Sequence, residues 1–251
     1  MIKRLLKLPL SLILFLGLIS FTVPNAQANE LDLGNSNSIS TVENYIEYLR
    51  NSPDRAELLE QFLSLSKEDQ ELFVEALKPE NFFDAFALAQ ENLNEDTVFE
   101  LNNGKEIEVK MISENSDDNE SIGDSSIMPL TTYRETTGKA RCVFTILGLE
   151  VAEYRDGLVY QSDGTNALQV YDIEKSYNNN NPLVWTTENG YTNKYVSGGW
   201  AYGGYSWTLS STGSLGALSA SVDMYVKAKP GKRSFKVDSG RSDWAIPWTE
   251  Y

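Results

Sequence analysis

Leu218-Ser-Ala-Ser-Val-Asp-Met-Tyr-Val-Lys-Ala228 decides the fold. Leu218, Ala220, Val222, Met224, Val226 and Ala228 take every second position, and Ser219, Ser221, Asp223, Tyr225 and Lys227 alternate with them. Successive side chains of a strand point to opposite faces, so this period of two describes a long strand with one buried face. The same character holds from Thr131 to Tyr251. β-branched and aromatic residues alternate with polar ones, and the turn dipeptides Asp156-Gly157, Asp163-Gly164 and Asn189-Gly190 recur. The Asn178–Asn181 run before Pro182 reads as a loop. Many such strands predict a β-sandwich over 131–251.

Upstream the period changes. Ser40-Thr-Val-Glu43 is a capping-box pattern followed by Val42, Ile46 and Leu49 at helical spacing. Ser52-Pro53 and Ser66-Lys-Glu-Asp69 are further helix starts, with Leu58, Leu59, Phe62 and Leu63, then Leu72, Phe73, Ala76 and Leu77, as apolar faces. Pro79 stops that helix. Phe82, Phe83, Phe86 and Leu88 suggest a fourth. The acidic residues between these faces read as a solvated surface. Val98–Leu101 and Glu106–Met111 flank Asn103-Gly104, which suits a two-residue hairpin turn because both central positions need positive φ. Residues 113–130 are acidic and poor in core formers, the composition of a disordered linker. Asp117, Asn119 and Ser121 hint at a calcium loop, but Ile122 stands where that loop needs glycine, so the linker reading is kept and no metal site is assigned.

The expected class is therefore α+β. Residues 1–28 form a signal peptide, 29–112 an acidic helical region ending in a short hairpin, 113–130 a disordered acidic linker and 131–251 an all-β sandwich. The signal reading rests on Lys3, Arg4 and Lys7 ahead of the apolar run Leu8–Val23, with Ala26 and Ala28 framing a small-x-small cleavage site. No cysteine directly follows the run to take a lipid anchor, and no later stretch is apolar enough to span a bilayer, so the expected destination is secretion with release.

Composition excludes much chemistry. The chain has no histidine, which removes Ser-His-Asp and Cys-His sites and the usual catalytic zinc sites. The one cysteine, Cys142, lies in an apolar stretch and reads as a buried, inert thiol. Net charge is −15, and it is uneven. Residues 29–130 carry 24 Asp and Glu against 6 Lys and Arg, whereas 131–251 carry 12 of each. Neither half shows a basic face for a phosphate backbone, so nucleic acid is not an expected partner. The charge step also suggests that the acidic region is a pro-segment, released by a cut near Met128-Pro129, or simply a second domain on a flexible joint.

Leu65-Ser-Lys-Glu-Asp-Gln-Glu-Leu-Phe-Val-Glu-Ala-Leu77, together with Thr145-Ile-Leu-Gly-Leu-Glu-Val-Ala-Glu-Tyr154 and Tyr160-Gln-Ser-Asp-Gly164, resembles segments of a loose group of secreted proteins from Bacillus-like Gram-positive bacteria. One branch of that group is similar to large bacteriocins of the geobacillin type. The resemblance implies an export signal, a helical N-terminal region, a secreted β domain and an antimicrobial role. It supplies no catalytic motif.

The leading functional expectation is a non-enzymatic extracellular protein, bacteriocin-like or antagonistic through its β domain, needing no cofactor. In its pore-forming version the uncharged Ser197–Gly216 segment inserts in a membrane. That segment reads more simply as a sandwich strand pair with a Gly-rich corner. The alternative function is a cell-wall or carbohydrate-binding module, with Trp200, Tyr202, Tyr205 and Trp207 as an exposed platform for sugar rings and the bacterial surface or wall polysaccharide as partner. A third is a glycosidase using two of Glu150, Glu153, Asp156, Asp172 and Glu174, whose spacing nominates no acid and base.

Overall fold

The computed structural model describes residues 41–115, 134–213, 216–238 and 249–250. The signal segment 1–28 with Ala26 and Ala28, residues 116–130 of the acidic stretch, and the proposed cut at Met128-Pro129 lie outside the described residues.

Four α-helices come first: α1 (Val42–Arg50), α2 (Ala56–Ser64), α3 (Lys67–Ala76) and α4 (Pro79–Glu91). Thr41 caps α1 by accepting the Asn44 N–H at 3.3 Å, one position after the serine that opens the sequence pattern. Ser66 caps α3 by accepting from the Asp69 N–H at 3.1 Å, and its hydroxyl donates back to the Asp69 carboxylate at 2.8 Å. Pro79 does more than stop a helix. It opens α4 at a first-turn position, where its missing N–H leaves no bond unmade.

The strands form two antiparallel sheets. The first runs β1 (Thr97–Glu100), β2 (Glu106–Asn115), β3 (Arg134–Ile146), β4 (Leu149–Ser162), β5 (Ala167–Asn179) in simple order. The second contains β6 (Trp185–Tyr191), β7 (Tyr195–Ser197), β8 (Trp200–Gly213), β9 (Gly216–Lys229), β10 (Lys232–Asp238) and β11 (Thr249–Glu250). Its order is β11-β10-β9-β8-β6, with β7 on the start of β8. The class is α+β with a β-sandwich. β3, β4 and β5 face β8, β9 and β10 across a shared interior.

Three expectations change. The β1–β2 hairpin does not finish the helical region but forms the first two strands of the five-stranded sheet. Its loop is five residues long, closed by Leu101 N–H donating to Lys105 O at 2.8 Å, and of its Asn-Gly pair only Gly104 takes positive φ. β2 and β3 pair directly from Val109↔Ile146 to Asn115↔Ala140, so the acidic stretch joins neighbouring strands of one sheet.

All described residues fall in one compact unit, Ser36–Tyr251, and the helices share its core. Tyr45, Phe62 and Phe73 pack at 5.0 to 5.5 Å between ring centres. The α4 rings Phe82 and Phe86 meet Phe144 of β3 at 5.6 and 5.1 Å in edge-to-face contact. Between the sheets, Tyr154 lies 5.3 Å from Trp207. Cys142 is fully buried against Met111, and burial pushes its thiol up to about 12, so it holds no reactive thiolate at neutral pH.

Candidate functional site

The outer face of the second sheet carries the most distinctive surface. It is built by strand parity and one irregularity. On β8, Ala201, Gly203, Tyr205, Trp207, Leu209 and Ser211 are buried, so the even positions point outward. Register then assembles cross-strand rows on that side: Trp185–Ser210–Ser219 and Thr187–Thr208–Ser221 across β6, β8 and β9. A bulge between Glu188 and Gly190 breaks the β6 ladder. It turns the Asn189 amide onto the face, where Nδ2 donates to Thr208 Oγ1 at 2.8 Å and Ser206 Oγ at 3.1 Å. Bulges re-aim side chains in this way. These two rows hold hydroxyl and amide groups without a formal charge.

Aromatic rings bound the array. Trp185 is 47% exposed at one end. At the other, Tyr195, 51% exposed, stacks on Tyr202 with ring planes 6° apart and centres 4.9 Å apart. Trp200 follows two positions on. Eight residues of β8 separate the Ser210 and Tyr202 rows, about 26 Å at the usual rise per residue.

The four aromatics expected to form one platform divide by parity. Trp200 and Tyr202 are half-buried and lie on the outer face. Tyr205 and Trp207 are 3% and 0% exposed and fill the interior between the sheets. Odd and even residues of one continuous strand cannot share a face. Trp185, Asn189 and Tyr195, which share the outer surface, precede the aromatic-rich Ser197–Gly216 segment, and their own sequence context gives no sign of the face they join. The Ser197–Gly216 segment is central in its sheet, paired with β9 from Ala201↔Ala228 to Gly213↔Gly216, the sandwich-strand arrangement.

Four of the five candidate carboxylates lie beside basic groups, and the fifth is turned inward. Glu150 and Glu153 both bind Arg141, whose Nη2 donates to Glu150 at 3.0 Å and whose Nε donates to Glu153, with Glu114 accepting from Nη1 at 2.7 Å. Burial works against the Arg141 charge, but its bonds to Glu153 and Glu114 outweigh that and hold its pKa above the usual value. Asp156 points the other way, into the interior. It is 1% exposed, and burial pushes its carboxyl up to about 8 against weaker help from the Tyr205 and Gly157 N–H groups. Asp172 and Glu174 lie on β5 near Lys194 (4.0 Å) and Lys139 (3.8 Å). Among the described residues no cluster of His, Cys, Asp or Glu is arranged to hold a metal ion. A depression of about 200 Å³ lies over Gly157, edged by Lys139, Arg155, Glu174 and Ser176.

No family model, curated protein or solved structure matches the chain.

Proposed function

We propose that this is a secreted, non-enzymatic binding protein that holds a polysaccharide of a bacterial cell wall on the outer face of β6, β8 and β9. One observation carries the reading: two cross-strand rows of Ser and Thr with the bulged Asn189, free of formal charge, with Trp185 at one end and, past Asp223, the Tyr195–Tyr202 stack at the other. Sugar hydroxyls need donors and acceptors at close spacing, which Thr187, Thr208, Ser210, Ser219 and the bulged Asn189 supply. The axial C–H groups of a sugar need an apolar plane, which Trp185 and the Tyr195–Tyr202 stack supply. The export pattern of residues 1–28 supports an extracellular site of action. The pairing of Glu150 and Glu153 with Arg141 and the burial of Asp156 support binding over carboxylate-driven hydrolysis. Residues 116–130 act in this reading as a polar connection between β2 and β3.

An antagonistic, bacteriocin-like role is compatible with wall binding, as targeting to a competitor's surface. Its support is the resemblance of Leu65–Leu77 and Thr145–Gly164. Those segments lie in α3 and in β3–β4, where Phe73, Val74, Ile146, Leu149 and Val151 are buried core residues.

The test is co-sedimentation of the purified protein with isolated peptidoglycan and with chitin. Retention on at least one, saturable and competed by soluble fragments, is expected. Absence of retention on both at micromolar protein contradicts the reading.

A further inference from the structure

Lys227, Lys229, Lys232, Arg233 and Lys236 place five of the chain's 21 Lys and Arg residues within ten positions. Counting charge by halves hides this cluster, because acidic residues elsewhere in 131–251 cancel it. The β9–β10 register brings Lys229 opposite Lys232 and Lys227 opposite Ser234. Lys227 also neighbours Tyr202 across β8 and β9. The ammonium groups of Lys229 and Lys227 stand 4.6 and 5.2 Å from the Trp200 ring centre, and Lys236 stands 4.5 Å from that of Tyr225. Basic and aromatic groups are therefore interleaved at the end of the outer face beyond Tyr202.

Within this proposed polysaccharide face, we infer that the Trp200–Lys227–Lys229–Lys232 corner is a subsite for an anionic group on the polymer, so that the protein prefers anionic wall polysaccharides to neutral ones. The Lys229 and Lys227 ammonium groups lie within cation–π reach of Trp200, and an ammonium group carries three N–H donors. An acidic group on a sugar stacked near Trp200 and Tyr202 meets those donors without leaving the aromatic plane. Charge on the neighbouring strands grades the right way. Asp223 is the carboxylate on the outward side of β9, four positions and about 13 Å from Lys227. The chain's net charge of −15 does not cancel the corner at working salt, because exposed charges beyond about 8 Å are largely screened.

The inference rests on the polysaccharide reading, and the experiment separates the two. The purified full chain is sedimented with native Gram-positive walls and with the same walls stripped of their phosphodiester polymers by hydrofluoric acid. Binding to both is expected, about fivefold tighter on native walls, the scale of an exposed ion pair. That gap should close at about 1 M NaCl, where the screening length falls to about 3 Å. It should also close in the Lys229→Gln/Lys232→Gln variant, whose stripped-wall binding stays at the parent level. The salt titration uses the parent alone, so it decides the matter even where the variant folds poorly. Equal parent binding to both walls overturns the inference and leaves the polysaccharide reading standing. So does a preference that survives salt. Binding to neither wall overturns both. Sedimentation with phosphatidylglycerol vesicles as strong as with native walls overturns the inference in favour of a lipid surface.

Discussion

Asn181 donates through its side-chain amide to the carbonyl of Leu77, 104 positions earlier, at 2.9 Å. Asn181 is 1% exposed, and the bond ties the end of α3 to the turn after β5. Its neighbour Asn180 accepts from Tyr45 O–H at 3.3 Å and from Arg55 Nε at 3.2 Å, and its amide donates to Glu150 O at 3.1 Å. The two asparagines bolt the helices to the strands. Asn181→Ala leaves the Leu77 carbonyl buried without this donor, a cost of about 1–3 kcal/mol. Chemical denaturation should show that loss in a single transition, since helices and strands share one core.

The same shared core bears on the acidic connection. A specific protease site placed between residues 116 and 133 should yield two fragments on a denaturing gel that still co-elute on gel filtration. β2 remains paired to β3 over seven registered positions, and Phe82 and Phe86 remain packed on Phe144. Elution of a free helical fragment would support the pro-segment account.

Asp156 makes stability depend on pH. Its carboxyl titrates near 8 in the fold and near 3.9 in an unfolded chain, so folding takes up a proton between those values. The native state gains nothing relative to the unfolded state from its ionised form. The contribution of this group is fully present below about pH 4 and is lost as pH rises toward 8. The ceiling on that loss is roughly 5 kcal/mol. In Asp156→Asn that dependence disappears, so the melting temperature of the variant should exceed the parent's at pH 8 and approach it at pH 4. Parallel curves for the two proteins would show that Asp156 is solvated.

Gly203 marks a close approach of the two sheets. A Cβ there would stand 2.7 Å from Leu158 Cδ2 and 3.0 Å from Ile173 Cδ1. Gly203→Ala should cost about 1–3 kcal/mol in thermal or urea unfolding. Trp207→Ala, which empties a fully buried site beside Tyr154 and Tyr205, should cost about 3–5 kcal/mol. Below the melting temperature, neither should weaken wall binding as an outer-face substitution does.

Local periodicity made much of this legible. The strand Leu218–Ala228, the Ser66 cap and the buried Cys142 follow from residue spacing and hydropathy alone. Parity was also readable: Trp200 and Tyr202 differ in parity from Tyr205 and Trp207, so one strand cannot show all four on one side. What the sequence could not reveal depends on partners distant along the chain. The Asn178–Asn181 run has loop composition, yet Asn180 and Asn181 are buried because helices over a hundred positions earlier need their amides. Trp185 and Tyr195 become one surface with Tyr202 only through the pairing of β6 and β7 with β8. The turn Leu147-Gly148, with φ of 50° and 77°, sets a leucine where glycine or asparagine is usual, and composition gives no sign of it.

The outer face of β6, β8 and β9 is the central claim, and the affinity of Trp185→Ala and Tyr195→Ala for isolated peptidoglycan tests it most directly. Both side chains are about half exposed, so melting temperatures should stay near the parent's. Each loss of a stacking ring should weaken binding about tenfold, the scale of one aromatic contact. Parent-level affinity in both folded variants would contradict the account.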